Sequence, residues 1–292
     1  MTSPLELKNS DLMIGLEIHQ QLATNTKLFC ECTKFEEDNY DSEFLRSLRP
    51  TQSELGYVDP AALFEFKKGT KIKYLFGDES SCMVEMDEEP PHNLNMDAVE
   101  SAILISLALG AKIVDEIHVM RKIVIDGSNT SGFQRTAVIA MGGELKVGSS
   151  SVEVQSISVE EDAARLIGES EGVRKYGLDR LGVPLVEVAL APFRNYSEAQ
   201  NIALALGRLM RMTGKVARGI GSIRQDINIS LAGGEVVEVK GVQQLDLISK
   251  IIDYELVRQK GLIALAMELK KRGIVFNNAA DLPVDLTNLF RS

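Results

Sequence analysis

The chain has 292 residues, of which 45% are hydrophobic and only 5% aromatic, with three cysteines, no tryptophan and a formal net charge of −10. That length supports one large domain or two ordinary ones around a real core, but the charge excludes a generally basic, polyanion-coating surface. Contact with nucleic acid needs segregated basic residues or another domain, although a divalent cation can still reverse the local balance at a nucleotide site. No apolar run is long enough to span a bilayer. Met1-Thr2-Ser3-Pro4-Leu5-Glu6 lacks the basic and apolar regions of a signal peptide. The cysteines make no disulfide framework, so a reducing, cytoplasmic setting is expected.

Residues 11–22 read as the first strand. Within it, Ile14, Leu16 and Ile18 share one parity, and Glu17 and His19 share the other. Side chains alternate faces along a strand, so a carboxylate and an imidazole stand together opposite an apolar face. That is half of a metal or acid–base site, or a polar face open to water. Residues 24–92 are mixed, with Glu36-Glu37-Asp38 reading as a solvated acidic loop. Cys30-Glu31-Cys32 and Cys82 suggest half of a zinc site, but Cys82-Met83-Val84-Glu85 ends in glutamate where closed zinc sites prefer Cys or His. Zn²⁺ on Cys30, Cys32 and Cys82 and buried free thiols both stay open. His92 and His118 read as structural or surface histidines.

Asp97 to Leu109 reads as a helix, with Ala98, Ala102, Ile105 and Leu109 on one stripe and Gly110 at its end. Met120-Arg121-Lys122 then precedes Asp126-Gly127-Ser128-Asn129-Thr130-Ser131-Gly132-Phe133-Gln134-Arg135, whose glycines, hydroxyls and cations suit an anion-binding loop. Neither standard nucleotide motif is present, so any use of ATP rests on another architecture. Ser151–Val159 reads as a strand running into Glu160-Glu161-Asp162. Gly182–Leu190 reads as a strand apolar on both faces, with Glu187 its only ionisable group. A buried carboxylate pairs, takes up a proton or binds a metal. Oxygen-rich clusters with one imidazole suit Mg²⁺ or Mn²⁺ better than Zn²⁺.

Ser197-Glu198-Ala199-Gln200 has the form of a capping box. It opens a helix carrying Ile202, Leu206, Leu209 and Met210 and ending at Gly214. Ser222–Leu231 and Glu235–Val242 form a hairpin. A three-residue loop, Ala232-Gly233-Gly234, opposes Ile229 to Val237, Ile227 to Val239, Asn228 to Glu238 and Asp226 to Lys240, whereas a two-residue loop would mix apolar and polar faces. Arg224, Asp226, Glu238 and Lys240 then share one face, as part of a site or as an exposed ion-paired surface. A long helix follows from about Leu245 to Arg272.

Five blocks now stand in order: Gly15-Leu16-Glu17-Ile18-His19, Glu160-Glu161-Asp162-Ala163, Gly182-Val183-Pro184-Leu185-Val186-Glu187, Gly221-Ser222-Ile223-Arg224-Gln225-Asp226 and Glu238-Val239-Lys240. In this order the chain resembles the GatB/GatE family of tRNA-dependent amidotransferases, and Arg121-Lys122 fits too. Asp87-Glu88-Glu89-Pro90-Pro91-His92 and the loop from Asp126 to Thr136 resemble the archaeal GatE branch. The resemblance implies an α/β (α+β) fold: a cradle-like domain over 1–275, with a largely antiparallel mixed sheet and flanking helices, then the start of a linker at 276–292 to a downstream domain.

It further implies that ATP and Mg²⁺ (or Mn²⁺) phosphorylate the side-chain carboxylate of glutamate on tRNA(Gln), and that ammonia from an asparaginase-like partner completes the amidation. By position, His19, Glu161 and Glu187 match the family's metal ligands, although spacing alone does not choose Glu161 over Glu160. Glu17 and Asp226 match nearby acidic positions, and Lys122, Arg224 and Lys240 match groups that stabilise phosphate or the acyl intermediate. Arg121, Ser128 and Arg135 are the expected nucleotide-binding positions. Most of the tRNA grip is expected from regions beyond Ser292. The alternatives are a non-catalytic docking module for the ammonia-producing partner, or another Mg²⁺-dependent carboxylate-activating ligase.

Overall fold

The computed structural model describes residues 12–50, 52, 55–148, 150–170 and 172–273. Met1–Glu6 and the linker expected at 276–292 lie outside the described residues. The strands are β1 (Leu12–Gln21), β2 (Ser42–Ser47), β3 (Lys71–Phe76), β4 (Lys112–Ile113), β5 (Val119–Ile123), β6 (Phe133–Met141), β7 (Glu144–Val147), β8 (Ser150–Glu161), β9 (Arg165–Ser170), β10 (Val173–Gly177), β11 (Pro184–Leu190), β12 (Ile223–Leu231) and β13 (Val237–Val242). The helices are α1 (Pro60–Lys67), α2 (Met96–Ala108), α3 (Ala199–Met212) and α4 (Ile248–Lys271).

Nine strands make one antiparallel sheet in the order β13-β12-β1-β11-β8-β6-β4, with β5 also on β6 and β7 also on β8. A second sheet, β2-β3-β10-β9, includes the parallel pair β3–β10. The class is therefore α+β with largely antiparallel, mixed sheets.

The large sheet has two unlike faces. Leu16 and Ile18 of β1, Val186 and Val188 of β11, and Ile227 and Ile229 of β12 are fully buried on the face that α2, α3 and α4 cover. The helices answer with Ala102 and Ile105, Ile202 and Leu206, and Ile248 and Ile252, also buried. Removing several such side chains from water, at ~25 cal/mol per Å² of apolar area, is the main attraction holding helices to sheet. The other face carries the polar side chains.

The hairpin has the expected register, Ile229↔Val237, Asn228↔Glu238 and Ile227↔Val239, and Gly233 takes φ +87° in its loop. A bulge then shifts Gln225 onto Val242. Asp226 thus comes beside Gly241, whose N–H donates to its Oδ1 at 2.7 Å. The expected capping box does not form. A 3₁₀ turn over Tyr196–Glu198 precedes α3, so Ser197 already lies in helical backbone, and its hydroxyl donates to Asn195 instead.

Candidate metal and phosphate site

In antiparallel pairs, residues directly opposite point to the same face. His19 of β1 lies opposite Glu187 of β11 on one side and Arg224 of β12 on the other, and Glu17 lies opposite Asp226. Glu187 lies opposite Ser158 of β8, so Ser158 and, two residues on, Glu160 face the same way. Glu160 lies opposite Thr136 of β6, which carries Gln134 on that face, and Gln134 lies opposite Lys122 of β5. Adjacent strands thereby aim their polar side chains into one cavity of about 270 Å³, lined by Glu17, His19, Lys122, Gln134, Glu160, Glu187, Arg224, Asp226, Lys240 and Gly241.

The centre is tight. His19 Nε2 is 3.2 Å from Glu160 Oε1 and 3.2 Å from Glu187 Oε2. Lys122 Nζ donates to Glu160 Oε2 and Glu187 Oε2, each at 3.0 Å. His19, Glu160 and Glu187 can bring one ligand atom each within 4.8 Å of one another. Among the described residues His19 Nδ1 is buried without a hydrogen-bond partner, 4.0 Å from Asp226 Oδ2.

One imidazole nitrogen and two carboxylates are a donor set for a hard divalent cation. The charge pattern fits as well, because His19 and Lys122 gather around the two carboxylates. Burial alone would depress His19, yet its bonds and proximity to Glu160 and Glu187 push it up to about 9. Burial likewise opposes ionisation of Glu187, but His19 and Lys122 hold it down at about 2. The orphaned Nδ1 faces Asp226, the type of outer carboxylate that orients a ligating histidine.

The two shifts set a pH dependence for the metal-free chain. The raised His19 contributes stability in full below pH 6.5 and loses it as pH rises through about 9. The depressed Glu187 contributes above pH 4.5 and loses it as pH falls through about 2. Urea unfolding with a chelator present is expected to show greatest stability between these limits. A drop on the order of 2–3 kcal/mol is expected from pH 6.5 to 9.5. His19→Gln should flatten that upper limb; an unchanged limb would show that His19 is not its origin.

Around the centre, Asn228 Nδ2 donates to Glu17 Oε1 at 3.0 Å. Gly15 makes room for this, since a Cβ there would sit 3.2 Å from Asn228 Cβ. Burial and the charges of Glu187 and Glu238 push the Glu17 carboxyl up. Arg224 reaches the cavity braced by Asp162 Oδ1 at 3.2 Å, and Asp162 also accepts from Gln21 at 3.3 Å. Lys240 Nζ bonds Glu238 at 3.1 Å and lies 3.7 Å from Asp226.

Of the residues expected from sequence, the cavity unites Glu17, His19, Lys122, Glu187, Arg224, Asp226 and Lys240. Glu161 is turned away, and Glu160 stands where Glu161 was expected. The Glu161 carboxylate accepts the Arg135 N–H at 3.0 Å and its guanidinium at 3.1 Å, and burial pushes it up despite that pairing. Arg121 lies opposite Arg135 with parity opposite to Lys122, and each guanidinium sits over the Phe133 ring. Ser128 donates its hydroxyl to Asp126 at 2.7 Å, Thr130 to the Glu85 carbonyl, and Ser131 to the Phe133 carbonyl. The loop thus spends its hydroxyls on itself and on the Glu85 carbonyl, and Arg121, Ser128 and Arg135 do not line the cavity.

A second donor cluster forms outside this cavity. Cys30, Cys32, Cys82 and Glu85 bring their ligand atoms within 4.8 Å of one another. Cys30 Sγ donates to Glu85 Oε1 at 2.8 Å, and Lys27 Nζ, on a fully buried side chain, lies 3.7 Å from the same oxygen. Glu85 takes the fourth position that the cysteines lacked; the Cys82-x-x-Glu85 spacing was its signal. His92 and His118 are exposed and, among the described residues, pair with the neighbouring Glu89 and Glu116.

Residues 12–288 match the family described as the GatB/GatE catalytic domain. The chain belongs to this family. It is 52% identical, over 98% of its length, to the GatE-type glutamyl-tRNA(Gln) amidotransferase subunit of Aeropyrum pernix, covering 45% of that protein. It is 53% identical over 99% of its length to the corresponding protein of Saccharolobus islandicus, and 50% identical over 99% to that of Sulfolobus acidocaldarius, covering 46% of each. The chain thus spans about half the length of these relatives. No described helix is long and apolar enough to cross a membrane.

Proposed function

We propose that this chain is the carboxylate-activating part of a cytoplasmic, archaeal-type tRNA-dependent amidotransferase. In the first step a side-chain carboxylate oxygen of glutamate on tRNA(Gln) attacks the γ-phosphorus of ATP, and the bond to ADP breaks. In the second, ammonia attacks the acyl carbon and phosphate leaves, giving glutaminyl-tRNA(Gln). A separate asparaginase-like partner protein supplies the ammonia. The observation that carries this reading is the His19–Glu160–Glu187 centre ringed by Lys122, Arg224 and Lys240.

His19, Glu160 and Glu187 would hold Mg²⁺ or Mn²⁺, which supplies Lewis-acid neutralisation of phosphate oxygens. Lys122, whose ammonium bonds both Glu160 and Glu187, would be freed by a bound cation to offer its charge to the transferring phosphoryl. Arg224, fixed by Asp162, offers donors to a phosphate from the opposite wall. Lys240 screens the acyl phosphate from Asp226 and Glu238. Glu17, with its carboxyl pushed up, is suited to accept the proton that ammonia sheds on attack. Cys30, Cys32, Cys82 and Glu85 would hold a structural Zn²⁺, with Lys27 offsetting part of the surplus negative charge.

Glu187→Ala in the reconstituted full-length complex tests the reading. Amidation is expected to fall by roughly 10³-fold with assembly intact. Unchanged amidation would remove Glu187 from the chemistry and favour a docking module. ATP turnover indifferent to misacylated tRNA in the intact complex would favour an unrelated ligase.

A further inference from the structure

The charge is unevenly distributed along the chain. From Ala199 to Gln225 there are five basic residues and no acidic one, in a protein whose net charge is −10. Four of them, Arg208, Arg211, Lys215 and Arg218, are exposed, and among the described residues none has a carboxylate partner. Arg208, Arg211 and Lys215 follow one another at spacings of three and four, which sets them on one side of α3 and its exit. Glu144 and Lys146 of β7 share a groove with Arg208 and roughly cancel each other there.

The segment leaving α3 leads from that side to the cavity. Ala23 donates to the Lys215 carbonyl and Ala217 to the Gln21 carbonyl, each at 2.8 Å, so residues 215–217 run beside the end of β1. Gln21 bonds Asp162, and Asp162 bonds Arg224 at the cavity wall. Arg208 and Arg211 thus stand on α3, and Lys215 and Arg218 flank the stretch that passes the end of β1, where Gln21 is linked through Asp162 to Arg224 on the cavity wall.

Resting on the function proposed above, we infer that Arg208, Arg211, Lys215 and Arg218 dock the sugar–phosphate backbone of the RNA whose aminoacylated end enters the cavity. Charge complementarity selects this occupant. A run of exposed cations without carboxylate partners among the described residues is the usual match for a regularly spaced polyanion, and the segment that carries it continues to Arg224 on the cavity wall.

The test uses this chain and a labelled RNA hairpin with a single-stranded 3′ end, read by fluorescence anisotropy across a salt series. Changing Arg208, Arg211, Lys215 and Arg218 to glutamine is expected to weaken binding at least ~10-fold near 50 mM salt and to lower the slope of log K against log salt by about 3. Changing Lys250, Lys260, Lys270 and Lys271 of α4 to glutamine alters net charge equally and should leave both unchanged. Melting temperatures verify that each variant folds. The inference is overturned if the wild-type chain does not bind, if neither variant loses affinity, or if both lose it equally. It is also overturned if phosphatidylserine vesicles bind as tightly through the same four residues. Mn²⁺ binding, followed by electron paramagnetic resonance in the same samples, reads the catalytic proposal separately: its absence from wild type would sink the metal site and leave the RNA docking standing.

Discussion

Glu160→Gln is expected to abolish Mn²⁺ binding at the His19 cavity and to lower amidation by the full-length complex on the order of 10³-fold, whereas Glu161→Gln leaves the metal in place. The reason is facing. Glu160 shares the polar side of the sheet with His19 and Glu187, and its oxygen is 3.2 Å from the imidazole. Glu161 is committed to Arg135 on the other side. Neutralising Glu161 should instead destabilise the fold by about 3 kcal/mol, because the Arg135 guanidinium then lacks its counter-charge in a largely buried setting. Isothermal titration with Mn²⁺ and urea unfolding separate the two effects. The reverse pattern, with metal lost in Glu161→Gln and kept in Glu160→Gln, would refute the assignment.

Loss of the cysteine cluster has the second large expected effect. Glu85→Ala should lower stability by about 3–5 kcal/mol, since it strips a ligand of the proposed zinc site and leaves the fully buried Lys27 without a counter-charge. Glu85→Cys should retain one Zn²⁺ per chain, because it completes four thiolates, although Lys27 then faces the metal cluster rather than a carboxylate. Metal analysis after purification and melting in the presence of a chelator check both. A chain that carries no zinc and melts at the same temperature with and without chelator would make these residues a thiol–carboxylate cluster and nothing more.

The framework of the site was legible in local pattern. The parity of β1 separated Glu17 and His19 from Leu16 and Ile18, and a one-residue slip would have turned both toward the apolar face that the helices cover. The three-residue loop put Arg224, Asp226 and Lys240 on one face for the same reason. The choice between Glu160 and Glu161 was harder, because β8 changes phase. Val152 and Val154 point inward, a bulge intervenes, and thereafter Ile157 and Val159 point inward. Counted from Ile157 and Val159, Glu160 faces the cavity and Glu161 does not. Counted from Val152 and Val154, the answer reverses.

The remaining differences come from partners that are distant in sequence or from competition within a turn. The composition of residues 126–135 suits an anion loop, but it suits equally a loop whose Asp126, Ser128, Thr130 and Ser131 close bonds to nearby backbone and side chains. Arg135 looked available for phosphate only while Glu161 was assigned elsewhere. Glu85 was visible in Cys82-x-x-Glu85, but its role depends on the chain returning to Cys30 and Cys32, more than fifty residues earlier. Ser197 failed as a cap because a 3₁₀ turn had begun the helical path one residue before it.

Crystals of the chain soaked in Mn²⁺ and measured at the manganese absorption edge address the central claim most directly. The account predicts one strong anomalous peak in the cavity, ligated by His19 Nε2 and by carboxylate oxygens of Glu160 and Glu187, with Lys122 displaced from both. A peak ligated through Glu161, or a loaded crystal with no manganese near His19, would contradict it.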